Sequence, residues 1–230
     1  MPEMSQIKPE AKKCRVFVVD DHPVVRDGVR SLINEEPDLV VCGEAADSAE
    51  ALSRIPSAFP DIALVDLSLS KGFGLELVKD LAIQHPTLPV IVLSMHDEMT
   101  FAERALRAGA RGYLMKTESS QRIVAAIRRV FAGKVFLSDR VIAMIATKLG
   151  NPKHDRPAVE RLSDRELEVF EMIGQGLSTA EIAERMCVSV KTVQVYFARA
   201  KEKFGVTTAK ELLREAFRWD DSKGIVQFLS

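Results

Sequence analysis

The sequence predicts an α/β fold: a flavodoxin-like, doubly wound five-stranded parallel sheet, followed by a small all-α domain of four helices. Three observations predict it. Short β-branched runs at 14–20, 39–44, 61–66, 89–94 and 111–115 alternate with stretches whose apolar residues recur at helical spacing. The runs are close to continuously apolar, as strands buried on both faces of a parallel sheet must be. From residue 160 onward only helical patterns remain. Five βα units suit the doubly wound order, whereas a barrel would need about eight.

The elements follow in order. Val16-Phe17-Val18-Val19 is the first strand, and His22-Pro23 opens the first helix with proline in its first turn. That helix carries Val25, Val29, Leu32 and Ile33 on one face, the third carries Leu77, Val78 and Leu81, and the fifth carries Ile123, Ile127, Val130 and Phe131. Val141, Ile142, Ile145 and Leu149 then mark an amphipathic helix, and the breaker-rich stretch from Gly150 to Pro157 reads as a linker. Ser163-x-x-Glu166, Ser178-x-x-Glu181 and Thr208-x-x-Glu211 are capping boxes, and Ser189 suits the N-cap of the helix between the last two. The expected division is an α/β domain at 13–133, a linker with one helix at 134–159, an all-α domain at 160–219 and a tail at 220–230.

Composition narrows the possibilities. The 230 residues are 47% hydrophobic and 28% charged, the balance of a globular protein. A net charge of -1 gives no global attraction to nucleic acid, so any such binding needs a local patch. Cys14, Cys42 and Cys187 stand singly, without metal or redox spacing. With no apolar run long enough for a membrane span and no signal-like start, no membrane association is expected and the expected location is the cytoplasm.

The chemistry lies at the strand ends. Asp20 and Asp21 close the first strand, Asp66 the third, Ser94 the fourth and Lys116 the fifth. Side chains at the carboxyl ends of parallel strands converge in one crevice. Paired carboxylates there suit Mg²⁺, which needs few protein oxygens. Asp21 and Asp66 are the expected direct ligands, Asp20 acts through water, and the backbone carbonyl of Ser68 is placed to complete the set. Lys116 would pair with an anion and the Ser94 hydroxyl with another of its oxygens. Together they suit an aspartyl phosphate at Asp66. Asp20 and Asp21 could instead simply cap the first helix, and the two roles are compatible. An aspartate-dependent phosphatase would need a second acid two residues beyond Asp66, where Ser68 stands, so no enzyme is expected.

Val18-Val19-Asp20-Asp21-His22, Val65-Asp66-Leu67, Leu93-Ser94-Met95 and Gly112-Tyr113-Leu114-Met115-Lys116, with Gly74, resemble the receiver domain of two-component response regulators over residues 13–133. The resemblance implies phosphotransfer from a sensor histidine kinase to Asp66, and Ser94 with Tyr113 as the pair that reports it. Leu69-Ser70 departs from the family's usual Met-Pro and bears on the lifetime of the phosphorylated state.

Ser178–Met186, a short turn and Val190–Phe204 form a helix-turn-helix pattern, whose second helix would enter the major groove. Leu162-Ser163-Asp164-Arg165-Glu166-Leu167-Glu168-Val169, Gly176-Leu177-Ser178-Thr179-Ala180-Glu181-Ile182-Ala183, Val188-Ser189-Val190-Lys191-Thr192-Val193 and Lys203-Phe204-Gly205-Val206 resemble the LuxR-type output domain of the NarL/FixJ class. This implies promoter DNA as partner, with Ser189, Lys191 and Thr192 near phosphates and Gln194, Val195 and Arg199 facing the groove. Gln194, Tyr196 and Ala198 depart from the usual basic pattern. The expectation is a DNA-binding transcription regulator whose phosphorylation promotes a homodimer, with the two domains packed together and the recognition helix shielded beforehand. The alternative is a receiver-controlled protein-interaction module.

Overall fold

A computed structural model describes residues 13–69, 73–150 and 157–227, with side chains as far as Asp220. Strands β1 (Cys14–Val19), β2 (Leu39–Ala45), β3 (Ile62–Val65), β4 (Val90–Ser94) and β5 (Gly112–Met115) form a parallel sheet in the order β2-β1-β3-β4-β5. This is the doubly wound order, with the chain reversing direction across the sheet beside β1.

Helices α1 (Pro23–Glu35) and α5 (Ser120–Phe131) cover one face of the sheet; α2 (Ser48–Ala58), α3 (Gly74–Gln84) and α4 (Glu98–Ala108) cover the other. The two-residue period of a strand makes this division. Val16, Val18, Ile62, Leu64, Ile91 and Leu93 pack with Val29, Ile33, Ile123 and Ile127. Phe17, Val19, Ala63, Val65 and Val92 face Ile55, Val78, Leu81 and Phe101. Each such aliphatic side chain contributes about 1.5–3 kcal/mol by leaving water. After α5 the chain returns to the sheet edge: Tyr113 N–H donates to the Phe136 carbonyl at 3.1 Å and Phe136 N–H to the Arg111 carbonyl at 2.9 Å. An open edge of β5 is thereby covered.

Beyond the sheet come α6 (Asp139–Gly150), α7 (Ala158–Arg161), α8 (Asp164–Gly174), α9 (Thr179–Arg185), α10 (Val190–Phe204) and α11 (Ala209–Gln227). Both sides of the capping box are present at α8 and α9, and Ser189 caps α10 by accepting from the Thr192 amide at 3.1 Å. Thr208 and Glu211 exchange the same pair of bonds. The helical lobe has the expected four helices, α8 to α11, preceded by the short α7, and one expectation changes. Its last helix is long and continues into the 220–230 stretch, because Leu212, Ala216 and Trp219 give it a continuous apolar stripe against Phe170. Residues 151–156 of the expected linker, and Ser70, lie outside the described residues.

The two lobes are packed together through α3 and α4 on one side and α7 and α8 on the other. Arg104 on α4 donates to the Leu162 carbonyl at 2.9 Å and to Asp164 at 3.0 Å. Lys79 reaches Asp164 at 2.6 Å, and Arg165 pairs with Glu76 at 2.7 Å while lying over the Phe73 ring. Beneath these, one apolar cluster runs from Phe73 and Phe101 to Leu162, Leu167 and Phe170. The shielding expected of the recognition helix is not found: Gln194, Val195, Ala198 and Arg199 on α10 remain exposed. The lobe contact uses α8, on a different side of the helical lobe.

Candidate functional site

Backbone bonds carry the ladder one residue past the strands and so fix the polar groups. Asp20 N–H donates to the Ala45 carbonyl at 3.1 Å, Asp66 N–H to the Val19 carbonyl at 2.9 Å, and Lys116 N–H to the Ser94 carbonyl at 2.8 Å. Their side chains meet as the sequence predicts. Lys116 Nζ lies 2.6 Å from Asp20 Oδ2 and 2.8 Å from Asp66 Oδ2. Asp20 and Asp66 are 3% and 2% exposed, which makes the pairing obligatory: a buried charge without a partner is strongly destabilising.

Gly74 closes the site from below. A Cβ at this position would lie 2.1 Å from the Asp66 carbonyl oxygen and 2.5 Å from Leu67 Cα. The loop after the phosphoacceptor candidate thus folds directly onto the start of α3, where the Gly74 amide donates to the Leu67 carbonyl.

Electrostatics leave the site short of positive charge. Burial raises the Asp66 pKa above the ordinary carboxylate value; Lys116 and the Ser68 amide oppose the rise, and Asp20 adds to it. Lys116 is pulled down by burial but carried above its usual value by Asp66 and Asp20. One ammonium therefore serves two buried carboxylates, with Asp21 close by. Ligand atoms of Asp20, Asp21, His22 and Asp66 lie within 4.8 Å of one another. Asp66 Oδ1 is buried without a hydrogen-bond partner, and the donor set is mostly carboxylate oxygen, so these residues suit a hard divalent cation. His22, which the sequence places only at the opening of the first helix, joins this group, 2.7 Å from Asp21 through Nδ1. The capping alternative for the two acids is not found: α1 has His22 at its N-cap and no side-chain cap bond, and Asp20 Oδ1 accepts from the His22 amide, ahead of the helix, at 2.9 Å.

Ser94 is fully buried at the end of β4, and Tyr113 is buried on β5. They converge on His96, a residue that sequence reading passed over. Ser94 Oγ accepts from the His96 amide at 3.3 Å, and Tyr113 Oη–H donates to the His96 carbonyl at 2.8 Å. Ser68, cited for its backbone carbonyl, brings its hydroxyl within 3.0 Å of His96 Nε2. Nothing in the local pattern announces His96, because its ring is engaged by a residue far along the chain, Glu171 on α8, at 2.9 Å.

The second candidate region is α10. Ser189 and Thr192 share a 2.8 Å hydroxyl contact at its start, and Lys191, Gln194, Val195 and Arg199 are exposed. Other cations of this helix are turned inward: Lys203 binds the buried Glu166 at 2.5 Å and Lys201 reaches the Thr207 carbonyl. Among the described residues neither Lys191 nor Arg199 makes an ion pair, so the outward face carries two available positive charges.

A carboxylate–lysine site at the strand ends of a doubly wound sheet, joined to a helix-turn-helix lobe, is the plan of a receiver domain coupled to an output domain. The family-level match is direct: residues 16–128 match the response regulator receiver domain, and residues 160–216 match the bacterial regulatory proteins of the luxR family. The chain belongs to the NarL/FixJ class of response regulators. It is 36% identical over 192 residues to the DNA-binding transcriptional activator DevR/DosR of Mycobacterium tuberculosis, covering 84% of this chain and 88% of that protein. It is 34% identical to the response regulator GacA of Pseudomonas aeruginosa, covering 89% and 95%. Among solved structures it is similar to RcsB from Salmonella enterica serovar Typhimurium, bound to promoter P1flhDC in the presence of the phosphomimetic BeF3-. That match has 25% identity and a TM-score of 0.61, covering 89% of this chain and 98% of that one.

Proposed function

We propose that this protein is a phosphorylation-dependent, DNA-binding transcriptional response regulator whose phosphoacceptor is Asp66. The single observation that carries the reading is the buried Asp66–Lys116–Asp20 cluster, with Asp66 Oδ1 left without a bond partner. A carboxylate oxygen of Asp66 attacks the phosphorus of a phosphohistidine on a sensor histidine kinase. The P–O bond forms as the P–N bond breaks, and the imidazole leaves with a proton from solvent. Lys116 pairs with the incoming phosphoryl oxygens, and Ser94 donates to another. Mg²⁺, held by Asp21, Asp66, the Ser68 carbonyl and Asp20 through water, would supply charge neutralisation. No step makes the protein an enzyme acting on other molecules: the phosphoryl group ends on its own side chain.

The output is promoter binding by α10, with Ser189, Lys191 and Thr192 at phosphates and Gln194, Val195 and Arg199 in the major groove. Two available cations per helix make single-lobe binding weak, which favours a phosphorylation-promoted homodimer that places two α10 helices about 34 Å apart. The proposed domains are 13–133 and 160–219, in a cytoplasmic protein; among the described residues no helix is long and apolar enough to cross a membrane. The test compares wild type with Asp66→Asn, each with a phosphodonor, on fragments of the organism's own genome across a salt series. Wild type is expected to dimerise and gain DNA affinity, and Asp66→Asn to do neither. Equal behaviour of the two would overturn the switch, and a flat salt slope would favour the protein-interaction alternative.

A further inference from the structure

We infer that His96 is a positioning residue that latches the helical lobe to the receiver, through a Ser68–His96–Glu171 chain that links the phosphoacceptor loop to α8. The inference rests on the phosphoacceptor reading above.

Four contacts meet at His96. Its Nε2 lies 3.0 Å from the Ser68 hydroxyl, two residues beyond Asp66, and its Nδ1 lies 2.9 Å from Glu171 Oε2. Its backbone accepts from Tyr113 and donates to Ser94. The ring also packs against Phe101, with centroids 4.6 Å apart. An imidazole is rigid, and its two nitrogens diverge, so a shift at Ser68 cannot leave the Glu171 contact unchanged.

Two other charged contacts between the lobes, Lys79–Asp164 and Arg165–Glu76, each have one half-exposed partner, and such pairs are screened and weak, whereas Arg104–Asp164 is more buried and adds to the packing. Glu171 is 3% exposed, and a carboxylate at that depth tolerates loss of its partner poorly. A phosphoryl group on Asp66 brings three acceptor oxygens beside the Ser68 and Ser94 hydroxyls, both of which support His96. Once they turn to the phosphoryl group, His96 loses its fixed position, and Glu171 regains solvation only if α8 lifts from the receiver. Because the α10 face is exposed while the lobes are packed, the latch governs where α10 sits rather than whether it is covered.

Coupling of this kind is reciprocal: if phosphorylation opens the latch, breaking the latch must favour the phosphorylated state. The experiment uses the full chain with beryllium fluoride and Mg²⁺ as probe, reading probe affinity together with amide exchange across α8. Wild type is expected to gain exchange in α8 on binding the probe. Glu171→Gln is expected to show that exchange without the probe and to bind the probe on the order of tenfold more tightly. Lys79→Ala, which cuts an exposed pair at the same interface, is expected to change probe affinity less than about twofold. In a His96→Ala background, Glu171→Gln is expected to add nothing; thermal unfolding establishes that each variant is folded. The latch is overturned if wild type responds but Glu171→Gln matches it, or if the Glu171→Gln effect survives in the His96→Ala background. If wild type itself fails to bind the probe, the phosphoacceptor reading falls, and the latch with it.

Discussion

The carboxyl end of the sheet and the outward face of α10 are both charged, but they are built in opposite ways. At the sheet end Asp20, Asp66 and Ser94 are buried and held by other groups: Asp20 and Asp66 by Lys116, and Ser94 by the backbone of His96. Among the described residues, the exposed Lys191 and Arg199 on α10 make no ion pair, while Lys201 and Lys203 are engaged within their own lobe. Burial forces polar groups into a single arrangement, because an unsatisfied one costs about 1–3 kcal/mol. Exposure leaves side chains free to conform to a partner. The receiving end is therefore specified by the fold, and the output end is completed by what it binds.

Three substitutions or conditions probe that contrast. The largest effect is expected from Gly74→Ala. A methyl group placed 2.1 Å from the Asp66 carbonyl must displace the phosphoacceptor loop or α3. The expected cost is about 3 kcal/mol of stability with loss of phosphoryl acceptance, measured by denaturant unfolding and phosphodonor labelling. Unchanged labelling would show that the sheet end is softer than its burial implies. Next comes Lys191→Ala on the exposed face. It is expected to weaken DNA binding about five- to tenfold at low salt and to reduce the salt slope by about one, with phosphorylation of Asp66 unchanged. A loss of phosphorylation would mean that the two regions are not separable in this way.

The smallest effect lies between the two regions, at Glu168. Burial in the lobe contact pushes this carboxyl up to about 7, against the pull of Arg165 and His96 and with Glu76 adding to the rise. Separating the lobes removes the receiver's share of that burial and lowers the value, so packing the lobes takes up a proton below about 7. This contribution to the packed form is fully present below that lower value and is lost as pH rises through about 7. Protection of the α8 amides in the unphosphorylated protein, measured relative to the intrinsic exchange rate at each pH, should therefore fall modestly between about pH 6 and about pH 8. Glu168→Gln is expected to flatten that dependence.

What the sequence discloses follows the same division. The sheet was legible because strands buried on both faces must read as apolar runs, and the acids and lysine stand where those runs stop. The helix starts at 163, 178, 189 and 208 were legible from their caps alone. His96 was not: its meaning depends on Glu171, and a long-range contact leaves no local pattern. The course of α11 beyond residue 219 was missed for a related reason, since Trp219 has significance only beside Phe170. The shielding of α10 was expected from the general logic of a switch, yet the acidic and apolar face of α8 was the one suited to α3 and α4.

Glu166 links these parts mechanically. The carboxylate that closes the α8 capping box by accepting from the Ser163 amide at 2.7 Å also holds Lys203, near the end of α10. The start of the helix that touches the receiver and the end of the helix proposed to read DNA are thus pinned at one buried joint. The lobe has little slack between them, so it behaves as a lever whose short arm rests on the receiver and whose long arm carries α10. A tilt of α8 against the receiver is therefore expected to carry α10, and Lys191 at its far end, along with it.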